Sequence, residues 1–197
     1  MRSFTESGLR FTFNKDWVVK KYDSHRYYKG LSGMGLKGID FIALNLKENL
    51  VAFFEVKNYR TRFHQDTGEP IFPEPKPADS LAHSLSAKVS DTLLALDAII
   101  TYYQKSFLYR WLQPLYLKLP FYVGDRFFWT KVENCIYVHE NLIYVLWVEL
   151  EERDLHYRKQ LKDKTEDLLK NELGTVQLAD TTEHPFPNSL TTVVVQP

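Results

Sequence analysis

The chain has 197 residues, 44% of them hydrophobic, which is enough apolar material for one sizeable core and favours a single domain over residues 1–197. Its 25 basic and 25 acidic side chains cancel, so the net charge gives no indication of a polyanionic partner. The lone Cys135 excludes an internal disulfide framework, and no apolar run approaches the roughly 20 residues that span a bilayer, so we expect a cytoplasmic protein without a membrane segment.

Positive charge is concentrated in the first third of the chain. Residues 1–64 carry 12 Lys and Arg against 6 Asp and Glu, whereas the remainder carries 13 against 19. This asymmetry predicts a phosphate-facing surface built from the basic side chains of the first third: Lys20, Lys21, Arg26, Lys29, Lys37, Arg60, Arg62 and His64. Lysines scattered in solvent are the alternative for any one of them.

Acidic residues interrupt two short apolar runs, residues 38–44 and 50–57, which are typical of neighbouring strands in one hairpin. The connection between the runs is short and polar, as a hairpin connection should be. Side chains alternate between the two faces of a strand, so Glu55 and Lys57 of the second run share a face. The first run contributes Asp40.

The pairing register decides whether Asp40 joins Glu55. A two-residue turn at Lys47 and Glu48 places Asp40 opposite Glu55, and a shift of two residues keeps the face and places Asp40 opposite Lys57. A three-residue turn sends Asp40 to the other face. Two opposed carboxylates on a mostly apolar face repel and lose hydration, so a cation or proton must compensate them. A divalent metal ion would do so, and an ion pair with Lys57 or Lys37 is the alternative.

An Asp on one strand and Glu-x-Lys near the end of the next resembles the PD-(D/E)xK nuclease superfamily, also called restriction-endonuclease-like. The resemblance covers residues 36–60, and Ile39 stands where the family name puts proline. It implies that Asp40 and Glu55 bind Mg²⁺ or Mn²⁺ with the backbone carbonyl of Val56. It also implies that Lys57 orients or helps deprotonate the attacking water. Many relatives add an acid from a first helix, and here the candidates are Glu6 and Asp23.

The chemistry of Mg²⁺ agrees with this set of ligands. The ion prefers oxygen atoms, keeps several waters and commonly takes one or two carboxylates together with substrate phosphate oxygens. It lowers the pKa of bound water, and a desolvated lysine nearby can have a depressed pKa. We therefore expect a metal-dependent endonuclease that hydrolyses phosphodiester bonds, with DNA preferred over RNA as the substrate. Lys37, Arg60 and Arg62 are the expected nucleic-acid contacts.

The segment after the hairpin predicts an extended connection followed by a long helix. Four prolines lie between Gly68 and Asp79, which indicates a structural crossover or a lid over a cleft. Apolar residues then recur at three- and four-residue steps up to Phe107, and Asp79 or Ser80 is the expected N-cap. Lys88, near the start of this helix, could reach a phosphate.

The second half predicts further strands and one more helix. Residues 117–129 are aromatic and irregular, typical of an edge strand or a substrate-facing insertion. The other predicted elements are strands at residues 134–138 and 142–149, a helix at residues 154–173 ended by Gly174, and short strands at residues 176–178 and 190–195. The order predicts an α/β (α+β) fold with a mixed central sheet flanked by helices, and the resemblance implies the restriction-endonuclease-like version.

A second class of function competes with catalysis. The same fold could serve as a catalytically silent subunit that binds nucleic acid or another protein. Within the nuclease interpretation, a separate protein could supply targeting, and a homodimer is compatible with the sequence. A metal-binding titration distinguishes the two classes, because only the nuclease needs the divalent ion.

Overall fold

The structure of the protein is a computed structural model that describes residues 2–25, 29–30, 33, 35–64 and 66–195. Its strands are β1 (Arg2–Glu6), β2 (Leu9–Phe13), β3 (Trp17–Lys21), β4 (Phe41–Asn45), β5 (Leu50–Asn58), β6 (Arg62–Phe63), β7 (Pro70–Ile71), β8 (Leu142–Glu149), β9 (Thr175–Ala179) and β10 (Leu190–Val194). Its helices are α1 (Ala78–Gln104), α2 (Phe107–Lys118), α3 (Asp125–Tyr137) and α4 (Leu155–Leu169).

A mixed five-stranded sheet forms the centre, in the order β3-β4-β5-β8-β9. Strands β3, β4 and β5 are antiparallel neighbours, whereas β8 runs parallel to β5 and β9 runs parallel to β8. Parallel neighbours need a crossover connection, and α1, α2 and α3 lie between β5 and β8 in the chain while α4 lies between β8 and β9. The expected α/β (α+β) class with a mixed sheet is confirmed.

The two faces of the central sheet are covered differently. A three-stranded antiparallel sheet of β1, β2 and β10 covers one face, where Phe13 packs against Phe54 with ring centroids 5.8 Å apart. Helices cover the other face, where Ile42 and Phe53 belong to the same buried cluster as α1 residues such as Leu96. Alternation along β5 therefore directs Phe54 to the small sheet and its neighbour Glu55 to the helices.

Helix α1 begins at Ala78, directly after Pro77. Pro77 occupies the N-cap position without a side-chain hydrogen bond, so the expected capping by Asp79 or Ser80 is wrong. Proline cannot continue a strand ladder and has its φ fixed near the helical value, which suits it to a helix start. The helix ends at Gln104, and Ser106 then caps α2 by accepting a hydrogen bond from the Tyr109 N–H at 3.4 Å.

The strand predicted at residues 134–138 is wrong, because these residues belong to α3 and the turn that follows it. Residues 117–129 are likewise not an edge strand, since they contain the end of α2 and the start of α3. The sequence around Cys135 and Ile136 is typical of a strand. These two residues are buried, however, and lie three and four residues after the equally buried Val132, which is the spacing of one helix face. Burial of that helical stripe outweighs the local β-propensity of the segment.

The remaining elements follow the predictions closely. Strands β8, β9 and β10 are confirmed, and α4 is confirmed with Asp154 as its N-cap, although it ends at Leu169. Gly174 comes four residues after the cap, with a φ of 110° and no room for a Cβ, which would lie 2.9 Å from the Leu142 carbonyl oxygen. Within the described residues, none of the helices has both the length and the apolar character needed to cross a membrane.

Candidate functional site

The hairpin of β4 and β5 brings Asp40 beside Glu55. Phe41 pairs with Phe54 and Ala43 with Ala52, which is the register expected for a two-residue turn. Asp40 directly precedes β4, and its N–H donates to the Phe54 carbonyl oxygen at 3.1 Å, which holds it beside the neighbouring Glu55 at the end of the ladder. The two carboxylates consequently lie on the helix-covered face, as the sequence predicts.

Two lysines complete the cluster. The Glu55 Oε1 accepts hydrogen bonds from the ammonium groups of Lys57 and Lys88, each at 2.6 Å. Lys88, on α1, also lies 3.8 Å from Asp40 Oδ1. The Val56 N–H donates to the other oxygen of Asp40, Oδ2, at 2.7 Å. Strand β5, the start of β4 and helix α1 therefore bring two acids and two lysines together at one point.

The cluster is largely removed from solvent. Side-chain exposure is 4% for Glu55, 14% for Asp40, 21% for Lys88 and 31% for Lys57. Two carboxylates and two ammonium groups balance in charge, which is the condition under which buried ions are tolerated. The second oxygen of Glu55, Oε2, is buried without a hydrogen-bond partner in the described part of the chain.

Burial and mutual repulsion disturb the protonation of these groups. Desolvation, followed by the negative charge of Glu55, raises the pKa of Asp40 to about 6, while the Val56 N–H and both lysines oppose this rise. Burial is the largest single influence on Lys57 and lowers its pKa, but the charge and hydrogen bond of Glu55, together with the charge of Asp40, outweigh it and raise the pKa of Lys57 above its ordinary value. In the metal-free protein Lys57 is therefore a cation that donates a hydrogen bond to Glu55.

The oxygen atoms of the cluster match the preference of Mg²⁺. Asp40 and Glu55 supply carboxylates, and the orphaned Glu55 Oε2 is a buried acceptor without a donor. No group of three or more Asp, Glu, His or Cys side chains within the described residues could hold a metal ion. The residues therefore fit only a site with two protein carboxylates, in which water and substrate phosphate complete the coordination.

Neither expected fourth acid is on a described helix. Glu6 lies at the end of β1 and forms an ion pair with Lys21 at 2.8 Å, so placing it on a first helix is wrong. Asp23 lies in a turn that follows β3. The described structure thus gives Asp40 and Glu55 no third carboxylate.

The three expected nucleic-acid contacts differ in their exposure to solvent and in the partners that their side chains already have. The Arg60 guanidinium pairs with Glu149 at 2.8 Å, and this carboxylate is buried. Arg62 is exposed, and its Nη2 donates to the Asn58 carbonyl oxygen at 2.5 Å. Lys37 is exposed too, and only its backbone N–H is engaged in a described hydrogen bond, with Asp91 at 2.9 Å. Arg62 and Lys37 can therefore meet a phosphate more readily than Arg60.

Sequence reasoning missed the partner of Arg60. Glu149 ends β8, and the parallel register places it opposite Asn58. It also accepts hydrogen bonds from the indole N–H of Trp147 at 2.9 Å and the Thr181 N–H at 2.6 Å. The available signal was an acid at the end of an apolar run, the same signal that identified Glu55.

A cavity of about 410 Å³ opens beside the Arg60–Glu149 ion pair, between the end of β5 and the small sheet. Arg60, Arg62 and the exposed ring of Phe63 line it together with Glu151. Glu151 is itself bound by the N–H and hydroxyl of Thr61 at 2.8 and 3.1 Å. The cavity therefore combines two cations and an aromatic ring with one acid that already has partners.

Comparisons of the chain with protein-family models, with curated proteins and with solved structures found no match. Function is therefore inferred from the side chains of the chain itself.

Proposed function

We propose that the protein is a metal-dependent nuclease that hydrolyses phosphodiester bonds, with DNA preferred over RNA. The observation that carries this proposal is the meeting of Asp40, Glu55 and Lys57 at one partly buried point, where the end of the β4–β5 hairpin brings the two acids side by side. Two acids brought together at a buried point need positive charge to compensate them, and a divalent ion can supply that charge as a lysine does.

The strand arrangement supports the restriction-endonuclease-like version of the fold. Three antiparallel strands lead to a long helix and then to a strand parallel to the third; Asp40 directly precedes the second of these strands and Glu55 lies on the third. This is the context that the sequence resemblance implies for an Asp and a Glu-x-Lys. This arrangement of strands supports nuclease chemistry, but the proposal itself depends on the site residues.

In this proposal, Asp40 and Glu55 hold Mg²⁺ or Mn²⁺, and the Val56 carbonyl is the expected third protein ligand. The ion supplies a water of lowered pKa and neutralises phosphate charge. The Val56 N–H fixes the orientation of the Asp40 carboxylate through its 2.7 Å hydrogen bond. Lys57, protonated and the most exposed member of the cluster, donates hydrogen bonds to the attacking water or a phosphate oxygen.

A second candidate is a catalytically silent subunit that binds a protein partner. It is favoured by the surface of α2, where Phe107, Leu108, Trp111 and Leu115 are all exposed. A contiguous exposed apolar surface of this kind commonly marks a binding site for another protein, including a second copy of the same chain. The balanced charge of the Asp40 cluster is equally consistent with a purely structural role.

The test is cleavage of a panel of linear, branched and single-stranded DNA and RNA in the presence of Mg²⁺, Mn²⁺ or EDTA. The nuclease proposal expects metal-dependent products from at least one DNA substrate and none in EDTA. Absence of both cleavage and metal binding would leave the silent subunit as the better account.

A further inference from the structure

Lys88 lies against both of the carboxylates that would hold a divalent ion. Its ammonium group is 2.6 Å from Glu55 Oε1 and 3.8 Å from Asp40 Oδ1, so it contacts both acids. Lys57 contacts Glu55 at the same distance and forms no described ion pair with Asp40. Lys88 is thus the lysine of the cluster that spans the gap between the two carboxylates.

The charge of the cluster leaves no room for an added divalent ion. Asp40, Glu55, Lys57 and Lys88 sum to zero when all are charged, and a divalent cation would leave two uncompensated positive charges in a largely buried place. Unpaired buried charge is strongly unfavourable, so a lysine must leave when a metal ion arrives. The lysine between both acids is the one in direct competition.

The main chain around Lys88 is held while its side chain can leave. The Thr92 hydroxyl donates to the Lys88 carbonyl oxygen at 2.7 Å and accepts from the Ile39 N–H at 3.2 Å, which fastens α1 to the residue before Asp40. The four-carbon stem of lysine is flexible, and the Lys88 side chain is 21% exposed. A rotamer change is enough to carry the ammonium group to solvent or to a phosphate oxygen.

We propose that Lys88 is an internal counter-cation that occupies the divalent-ion position between Asp40 and Glu55 and is displaced when the ion binds. This inference rests on the proposed function, since it presumes that the carboxylates bind metal. The Lys88 ammonium group stabilises the metal-free protein and weakens the binding of the metal ion. The Lys88 side chain then becomes available to a substrate phosphate only after the ion has entered.

The test measures Mg²⁺ and Mn²⁺ binding by titration calorimetry without nucleic acid, for the wild type, Lys88→Gln and Lys88→Met. We expect each variant to bind the ion at least about tenfold more tightly, because the competing charge is gone. In EDTA both should melt at a lower temperature than the wild type, and Mg²⁺ should raise their melting temperatures by more. Lys88→Gln retains a donor for Glu55, which keeps the experiment usable if Lys88→Met does not fold.

Lys164→Met is the matched control, because Lys164 pairs with the exposed Asp79 and its loss changes net charge equally. Its metal affinity should equal that of the wild type. If the wild type binds the ion and the Lys88 variants bind it no more tightly, the displacement of Lys88 is refuted while the metal site stands. If neither the wild type nor the variants bind Mg²⁺ or Mn²⁺, both the inference and the proposed function fail.

Discussion

Replacing Asp40 by Asn should stabilise the metal-free protein at neutral pH and leave it nearly unchanged in acid. The pKa of Asp40 rises from 3.8 to about 6 in the folded state, a rise of about 2 units, which corresponds to about 3 kcal/mol. Between these two values the folded protein binds more protons than the unfolded chain, so stability falls as pH rises through this window. Asn carries no charge, so the variant does not lose stability as pH rises through this window.

The assay is urea denaturation in EDTA at several pH values from 4 to 8, for the wild type and Asp40→Asn. The free energy of unfolding of the variant minus that of the wild type should grow by about 2 kcal/mol between pH 4 and pH 8, because part of the loss is already present at pH 4. The attraction between Lys88 and Asp40 acts only when Asp40 is ionised and is already part of the folded pKa of about 6, so it adds no further change with pH.

Asp79→Asn is a control of opposite sign. The Lys164 ammonium group lowers the pKa of Asp79 through a hydrogen bond and its charge, so this variant should lose relative stability as pH rises from acid to neutral. A difference between Asp40→Asn and the wild type that stays flat from pH 4 to pH 8 would refute the picture of a desolvated carboxylate repelled by Glu55.

Three further predictions address the other members of the site. Glu55→Gln should destabilise the protein by about 3 to 5 kcal/mol in urea denaturation, because it removes the negative charge that compensates the ammonium groups of two partly buried lysines; equal stability would argue against the ion cluster. Lys57→Ala should lower the single-turnover cleavage rate by about two to four orders of magnitude with a smaller change in metal affinity, and unchanged rates would remove Lys57 from the mechanism. Arg62→Ala should reduce the magnitude of the log–log salt slope of DNA binding by about one, whereas Arg60→Ala should mainly lower the melting temperature, because it leaves Glu149 buried without its cation. Charge reversals on exposed α4 residues are the control and should leave the salt slope unchanged. A salt slope that changes equally in the Arg62 variant and in the α4 variants would favour a protein partner.

The hairpin and its register could be predicted from sequence because local rules determine them. A short polar connection between two apolar runs limits the registers, and burial of one face selects among them. In the structure, Asn45 supports the connection by accepting hydrogen bonds from the N–H groups of Lys47 and Glu48, each at 3.0 Å. The placement of Asp40 and Glu55 therefore follows from a few neighbouring residues.

The contacts of Lys88 and Arg60 could not be predicted, because they depend on packing between distant elements. Lys88 lies 33 residues after Glu55 and reaches it only through the position of α1 across the sheet. Arg60 meets Glu149 because β8 pairs in parallel with β5, after an intervening crossover of three helices. A basic side chain read from sequence as a phosphate contact can thus have its partner in a distant acid.

Cleavage of DNA by Asp40→Asn compared with the wild type tests the central claim most directly. Both proteins are purified in parallel, and single-turnover rates are measured on the best substrate of the panel across a Mg²⁺ or Mn²⁺ titration. Metal-dependent cleavage by the wild type that disappears in the folded variant is the predicted result. Cleavage that survives unchanged in Asp40→Asn, or a wild type that shows neither cleavage nor metal binding, would contradict a metal-dependent nuclease centred on Asp40 and Glu55.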